Sequence, residues 1–433
     1  MKLPIGWQLT TAEPDRSIKP IELVPATRAA LAQPLHSKRL SELASATARV
    51  CIVFTDATRA CPDHILVPAI LRELEMAGVR DENITLLCAT GLHRPSTPAE
   101  KIAKLGQAVV DRYTVIDHDA QSAVILSEVK NLGQSGEALR FAQGDISLNP
   151  LLLQSDLILA TGVVEPHQYA GYSGGGKTVV IGCGGEATIS ETHGPKYLDH
   201  PGVRLGKVEG NPFQQFVREA ARSIGLKFVV NVVLDGDGQP VAVKAGDPIA
   251  VHDELIAIAK KLYEVPVPQQ YDVVIAKVDP PKDVNLYQAS RAATAIGLSA
   301  TPPIRLGGVI IVEAQCIERT GEGKGEVRFF EAMSLSQNLD QVLSRFRLNG
   351  CRAGEQRAFM LAQVLKKYEV IIAGSECPDA VEACQMTAVN SIDGAIDRIK
   401  HKIGKQASVL YLPHPLITLP IVMSNTSTGL RAS

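Results

Sequence analysis

Short apolar, β-branched runs recur along the chain, and each ends in a polar loop that opens into a helical pattern. RVCIVFT (Arg49–Thr55) runs into DATRACP, and apolar residues at helical spacing follow from His64 to Ala77, with Pro62 suited to a first helical turn. NITLLCAT (Asn83–Thr90) runs into GLHRPST, and a helix is expected from Pro98 to about Leu105. SDLILATGVV (Ser155–Val164) runs into a glycine-rich stretch. Runs of this kind read as strands buried on both faces, and their alternation with helices calls for a mostly parallel α/β sheet. Ligands bind such sheets at the carboxyl ends of the strands, which places Asp56–Arg59, His93 and the glycine-rich stretch at the same edge.

The pattern continues with a helix over Pro212–Ile224, a strand over Lys227–Leu234 and a helix over about Pro248–Tyr263. EVPVPQQ (264–270) reads as a Pro-rich linker. Beyond it come strands at Tyr271–Lys277, Gly307–Glu313, Glu369–Ala373 and Ser408–Leu412. Helices are expected at Val284–Ile296, capped by Asp283, and at Asn390–His401, with GEGKGE (321–326) a flexible loop. A chain of 433 residues is long for one core. The expected division is an N-terminal α/β domain over 1–267 and a C-terminal α/β domain over 268–412. A tail over about 413–433 is expected to pack back on the first domain, and the active site to lie in the interdomain cleft. Arg140–Leu148 alternates weakly and is read as a hairpin or excursion.

Composition narrows the function classes. The formal net charge is −2, with a single Trp and no basic run interleaved with aromatics, so nothing in the charge pattern calls for nucleic acid or an anionic membrane. The N-terminus MKLPIGWQLT has no apolar signal core, and no apolar run reaches membrane-spanning length. The eight cysteines form no C-x-x-C pair and read as buried reduced thiols. A cytoplasmic protein is expected.

Glu165–Gly194 carries two histidines, one lysine and eight glycines in thirty residues. Gly171–Thr178 satisfies the phosphate-binding pattern G-x-x-x-x-G-K-[ST] letter by letter. Its context differs from a P-loop. EPHQYA separates the strand from the first glycine, and TVVIGCGG is a poor helix start. Lys177 in such a pocket can serve as a desolvated nucleophile, as a phosphate contact, or as a solvated surface lysine. His93, His167 and His193 all fall at strand ends or in this stretch. Singly, each is more often a structural histidine; three at one sheet edge can divide metal ligation and proton transfer among them. The remaining histidines lack such context and read as surface or structural. Asp56 and Arg59 fit either a local ion pair or a clamp on a ribose, phosphate or carboxylate. In the second half, Tyr287, Gln288 and Arg291 share a helix face that offers a carboxylate fork, or simply a solvated surface.

Taken together, DATR (56–59), GLHR (91–94), EPHQYAGYSGGGKT (165–178), Thr192-His193 and LYQ with Arg291 resemble the nickel-pincer lactate racemases and their 2-hydroxyacid racemase and epimerase relatives. Order and spacing match from about residue 48 to 300; beyond that the resemblance is one of architecture. The resemblance implies a nickel complex of a pyridinium mononucleotide with two sulfur-containing arms, loaded by cofactor-biosynthesis proteins. It implies that Lys177 forms a thioamide link to this group and that His193 completes the nickel coordination. Asp56, Ala57, Thr58, Arg59, Ser173, Gly174 and Gly175 would line the cofactor. His93 and His167 would be the acid/base pair, and Tyr287, Gln288 and Arg291, with Arg59, would hold the substrate.

This residue set suits the chemistry that the resemblance implies. The α-hydrogen of a 2-hydroxy acid is hard to remove as a proton beside an ionised carboxylate. It leaves more readily as a hydride while the hydroxyl proton departs, giving a transient 2-keto acid that can be reduced from its other face. The hydroxyl then occupies two positions, so two bases are needed, and imidazoles suit both near neutral pH. One departure stands out: the family pattern has lysine where Arg291 stands. Arginine grips a carboxylate through a planar fork and changes the pocket's shape, which points away from lactate and toward another 2-hydroxy acid. Residues Val124–Ile146 also depart from the family pattern. Two other readings of the chain are a P-loop nucleotide enzyme built on Gly171–Thr178 and a non-catalytic cofactor or metal carrier.

Overall fold

In Val50–Thr55 every residue is buried, as its unbroken apolar run requires, and the strand pairs in parallel on both sides. Val53 lies opposite Leu87 on one side and Ala160 on the other. The computed structural model describes residues 1–125 and 146–423. Around this strand runs a six-stranded sheet in the order Pro240–Gly246, Leu226–Leu234, Leu157–Val163, Val50–Thr55, Ile84–Ala89, Thr114–Asp117. Only the Leu226–Leu234/Pro240–Gly246 pair is antiparallel. Helices Asp63–Met76 and Pro98–Leu105 follow two of these strands. Thr97 caps the second helix through a reciprocal pair, in which Glu100 N–H donates to Thr97 Oγ1 (3.2 Å) and Thr97 N–H to Glu100 Oε2 (2.7 Å).

A second six-stranded sheet, parallel throughout, is ordered Trp7–Thr11, Ala407–Leu412, Tyr271–Lys277, Ile304–Glu313, Glu369–Ala373, Thr387–Val389. By contacts the chain divides into two units. The first holds Arg16–His193 and Lys207–Lys260; the second holds Met1–Asp15, Gly194–Gly206 and everything from Lys261. The expected boundary at 267/268 takes no account of the two early segments that join the second unit.

Several local expectations change. Glu264–Val267, read as linker, is a strand paired in parallel with Leu419–Val422, so this part of the tail belongs to the second unit. Alternating Val and Pro extend the chain, and prolines are tolerated in so short a ladder because each strand has a single partner. The Tyr287 helix runs Leu286–Gly297 and is capped by Asn285, whose side chain accepts from Gln288 N–H at 3.0 Å, rather than by Asp283. GEGKGE is not all loop: a helix begins at Lys324, with Glu326 accepting from Gly323 N–H at 2.9 Å. Trp7–Thr11, not foreseen, is an edge strand. Of the excursion expected over Arg140–Leu148, Ser147–Leu148 is a strand paired antiparallel with Val124–Ile125, while 140–145, like the rest of 126–145 and the tail end, 424–433, lies outside the described residues.

Candidate active site

Thr55 ends its strand, and the chain turns at once through Asp56–Arg59, with Arg59 N–H bonded to the Asp56 carbonyl at 3.1 Å. The next strand ends at Ala89, and its loop delivers His93. The two loops meet: His93 Nδ1 lies 2.5 Å from Asp56 Oδ2, and Thr58 Oγ1 donates to Asp56 Oδ1 at 2.8 Å. Asp56 is nearly buried (side chain 7% exposed) and His93 is open (52%). Burial alone would raise the Asp56 carboxyl; the hydrogen bonds and charge of His93, the Thr58 hydroxyl and the Arg59 guanidinium outweigh it and hold the group below its ordinary value. An ionised Asp56 fixes the His93 tautomer, with the proton on Nδ1 and the Nε2 lone pair available to take a proton. Arg94, by contrast, is bound to Glu100 at 2.8 and 2.6 Å and braces the loop.

The glycine-rich stretch folds as a short hairpin, Pro166–His167 against Gly171–Tyr172, then a single helical turn, Lys177–Val180, and a helix Glu186–Thr192. A phosphate loop opens a long helix; here the helix after Gly176 is four residues, so the Walker match is one of letters only. The glycines are accounted for by the protein's own packing. Gly174 has φ +86°, and a Cβ there would stand 2.6 Å from Val164 Cγ2. Gly175 has φ +55° and would press on His252 at 3.0 Å, while its N–H donates to Asn231 Oδ1 at 2.7 Å. Ser173 staples the turn, its hydroxyl donating to the Val163 carbonyl (2.7 Å) and accepting from Glu165 N–H (3.1 Å). That hydroxyl proton is therefore committed to the backbone.

This turn delivers Lys177. Withdrawal from water lowers its ammonium to about 7, with the Arg59 charge adding to the effect and Glu165 and Asp56 opposing it. A substantial fraction is the neutral, nucleophilic amine at neutral pH. His193 ends the helix Glu186–Thr192, and its Nδ1–H donates to the Ile189 carbonyl at 3.0 Å. Burial, then the nearby Lys177 charge, push its imidazolium down to about 4, so it is neutral with Nε2 as its acceptor. His167 is in the opposite tautomer. Its Nδ1 accepts from the amides of Tyr169 and Ala170, both at 3.2 Å, which places the proton on Nε2. The Tyr169 ring meets His167 (5.3 Å) and His193 (4.8 Å) edge-on. Among the described residues, no group of three or more His, Cys, Asp or Glu could hold a metal ion by itself. A metal bound through His193 would have to bring most of its ligands with it.

In the second unit the helix Leu286–Gly297 presents Tyr287, Gln288 and Arg291 as a half-buried cluster. Arg291 Nη1 lies 3.4 Å from Gln288 Oε1, and the Tyr287 ring packs edge-on against Phe329 at 5.5 Å. The Arg357 guanidinium stands 5.2 Å over the Tyr287 ring. Arg357, Tyr169, Asn231 and His252 were not singled out from the sequence. Tyr169 lies within the quoted motif; the other three come from distant segments and carry no local signal. All eight cysteines are buried free thiols, as expected.

The family model described as the lactate racemase N-terminal domain matches residues 1–206, and the lactate racemase C-terminal domain matches 268–418. Lactate racemase of Lactiplantibacillus plantarum is 30% identical over 390 residues, 89% of this chain and 88% of its own. That of Thermoanaerobacterium thermosaccharolyticum is 28% identical over 386 residues, 89% and 87%. In fold, the chain superposes on the lactate racemase apoprotein from Thermoanaerobacterium thermosaccharolyticum with TM-score 0.80 at 24% identity, over 95% of this chain and 94% of that one. A protein from Thermotoga maritima gives 0.65 at 16%, over 92% and 97%. Along with the matched motifs, these place the protein: the chain belongs to the lactate racemase family and is an isomerase.

Proposed function

We propose that the protein racemises or epimerises a small 2-hydroxy acid other than lactate, using a nickel-pincer pyridinium mononucleotide held by Lys177 and His193. The observation that carries the reading is the state of those two side chains. Lys177 is a lysine near neutral pKa, set for a covalent bond, and its charge is felt by a neutral histidine whose Nε2 can ligate a borderline transition metal such as nickel. One nitrogen ligand, with no wider cluster among the described residues, fits a metal that arrives inside an organic group. When bound, that group supplies an electrophilic carbon able to accept a hydride.

The chain's own residues do the rest. His93, oriented by Asp56, offers Nε2 to the substrate hydroxyl proton. His167 faces the other hydroxyl position. Its resting tautomer presents an N–H there, so taking a proton requires it to give up the amide contacts on Nδ1. Gln288 and Arg291 grip the carboxylate, and Tyr287, fixed by Phe329, walls the side-chain end. The larger fork of Arg291 favours a 2-hydroxy acid bulkier or more acidic than lactate. A cytoplasmic setting and dependence on cofactor-making proteins belong to the same proposal; no described helix is long and apolar enough to cross a membrane.

Co-expression with the cofactor-making proteins, followed by intact-mass and metal analysis, should show a covalent adduct lost in Lys177→Ala and nickel lost in His193→Ala. A panel of 2-hydroxy acids followed by chiral analysis then identifies the substrate. Fully loaded protein that interconverts none of them overturns the reading. Loss of activity in His93→Ala and His167→Ala separates an enzyme from a mere carrier.

A further inference from the structure

Lys104 lies outside the motifs read above, yet it reaches directly beneath the Asp56 loop. It sits near the end of the helix Pro98–Leu105, and its Nζ pairs with Asp63 Oδ2 at 2.6 Å. The same ammonium donates to Thr55 Oγ1 (2.9 Å), to the Cys61 carbonyl (2.9 Å) and to the Arg59 carbonyl (3.1 Å). Asp63 is fully buried and accepts from Thr55 Oγ1 (2.6 Å) and Thr161 Oγ1 (2.5 Å), tying the ends of two adjacent strands together. An ion pair serving stability alone could be exchanged for a well-packed apolar pair. Here the exchange would also take the Lys104 donor from the Arg59 and Cys61 carbonyls, leaving Cys61 only the Asp63 N–H (2.9 Å), and so loosen the loop that carries Asp56 and Arg59.

The other end of the Lys104 helix is fixed just as firmly. Thr97 and Glu100 cap it, and Glu100 also binds Arg94, the neighbour of His93. One rigid helix thus joins the loop that supplies His93 to the loop that supplies Asp56, and the 2.5 Å Asp56–His93 contact spans the same two loops. We infer that Lys104, with Asp63 as its counter-charge, is a positioning residue that sets the Asp56–His93 contact and so aims the base. This deepens the proposed reaction and rests on His93 acting in it.

The test compares wild type with Lys104→Met/Asp63→Asn, which removes both buried charges together, and with Lys104→Arg, which keeps the charge on a head too broad for both carbonyls. In the unloaded full-length chain, the Arg59 amide should exchange about tenfold faster in the double variant while the melting transition stays cooperative. Nitrogen NMR should show His93 losing its fixed Nδ1–H tautomer, with Lys104→Arg showing a smaller change of the same kind. After loading, kcat should fall about 10–100-fold with KM nearly unchanged. Unchanged Arg59 exchange and an unchanged His93 tautomer in both variants overturn the inference. If loaded wild type turns over no 2-hydroxy acid, the reaction is misassigned, but the exchange and tautomer readouts still decide the role of Lys104.

Discussion

Asp56 accepts a hydrogen bond from His93 Nδ1–H across 2.5 Å, joining two loops that are 37 residues apart in sequence. The carboxylate needs to be ionised for this, and its neighbours hold it so. Asp56→Asn keeps the size but can present its amide N–H to Nδ1, reversing the tautomer. Activity of the loaded enzyme is expected to drop about 10–100-fold or more, mostly in kcat. In the unloaded protein, nitrogen NMR should find His93 protonated on Nδ1 and His167 on Nε2, and the His93 assignment alone should invert in the variant.

Lys177 should titrate with a midpoint of about 7, read as the rate of acylation of this amine in the unloaded protein against pH. The linked stability effect has a definite sign. The folded state disfavours the protonated amine, so between about 7 and the ordinary lysine value the unfolded chain binds more protons and stability rises with pH. Lys177→Met should abolish that rise and be the more stable protein at pH 6. Equal pH dependence in the two would contradict the lowered value.

Arg291 is expected to act on binding more than on turnover. Arg291→Ala removes a charged hydrogen-bonding fork worth about 1.5–3 kcal/mol, so KM should rise about 10–100-fold. Arg291→Lys should restore part of this and shift the chiral-analysis panel toward smaller 2-hydroxy acids.

Gly175→Ala places a methyl group 3.0 Å from the His252 ring on a backbone with φ +55°. A loss of about 1–3 kcal/mol is expected from denaturant midpoints. The same change should impair adduct formation at Lys177, two residues on, because Gly175 N–H anchors this turn to Asn231. Breaking the buried Lys104–Asp63 pair from one side, as in Lys104→Met, should cost about 3–5 kcal/mol, most of it recovered when Asp63→Asn is added.

The architecture was legible wherever one physical rule governed it. Val50–Thr55 and Tyr271–Lys277 are apolar on both faces and could only be central strands, and Pro98–Leu105 lies where the alternation of strands with helices puts it. Glu264–Val267 was hidden because its partner, Leu419–Val422, lies far along the chain, and local composition said only that prolines were present. Within the candidate site, the side chains named from loops and motifs do gather around Asp56 and Lys177 in the first unit. Their supports were invisible: Asn231 and His252 come from remote elements, and Lys104 looks like any helix-surface lysine until the fold buries it. The glycines answer to the fold as well: Val164 and His252 leave no room for a side chain at Gly174 and Gly175, which no local pattern announces.

The indole N–H of Trp7 donates to the Gly404 carbonyl, 397 residues away, and its strand lies parallel to Ala407–Leu412. As the chain is made, the second unit is therefore begun before the first and closed only after it, when Ala407–Leu412 emerges. Until then the Trp7–Thr11 strand has an unpaired edge, while the first unit, complete by Lys260, can already be folded. A fragment cut at 267/268 would strip Ala407–Leu412 of that neighbour, leaving a bare strand edge prone to self-association.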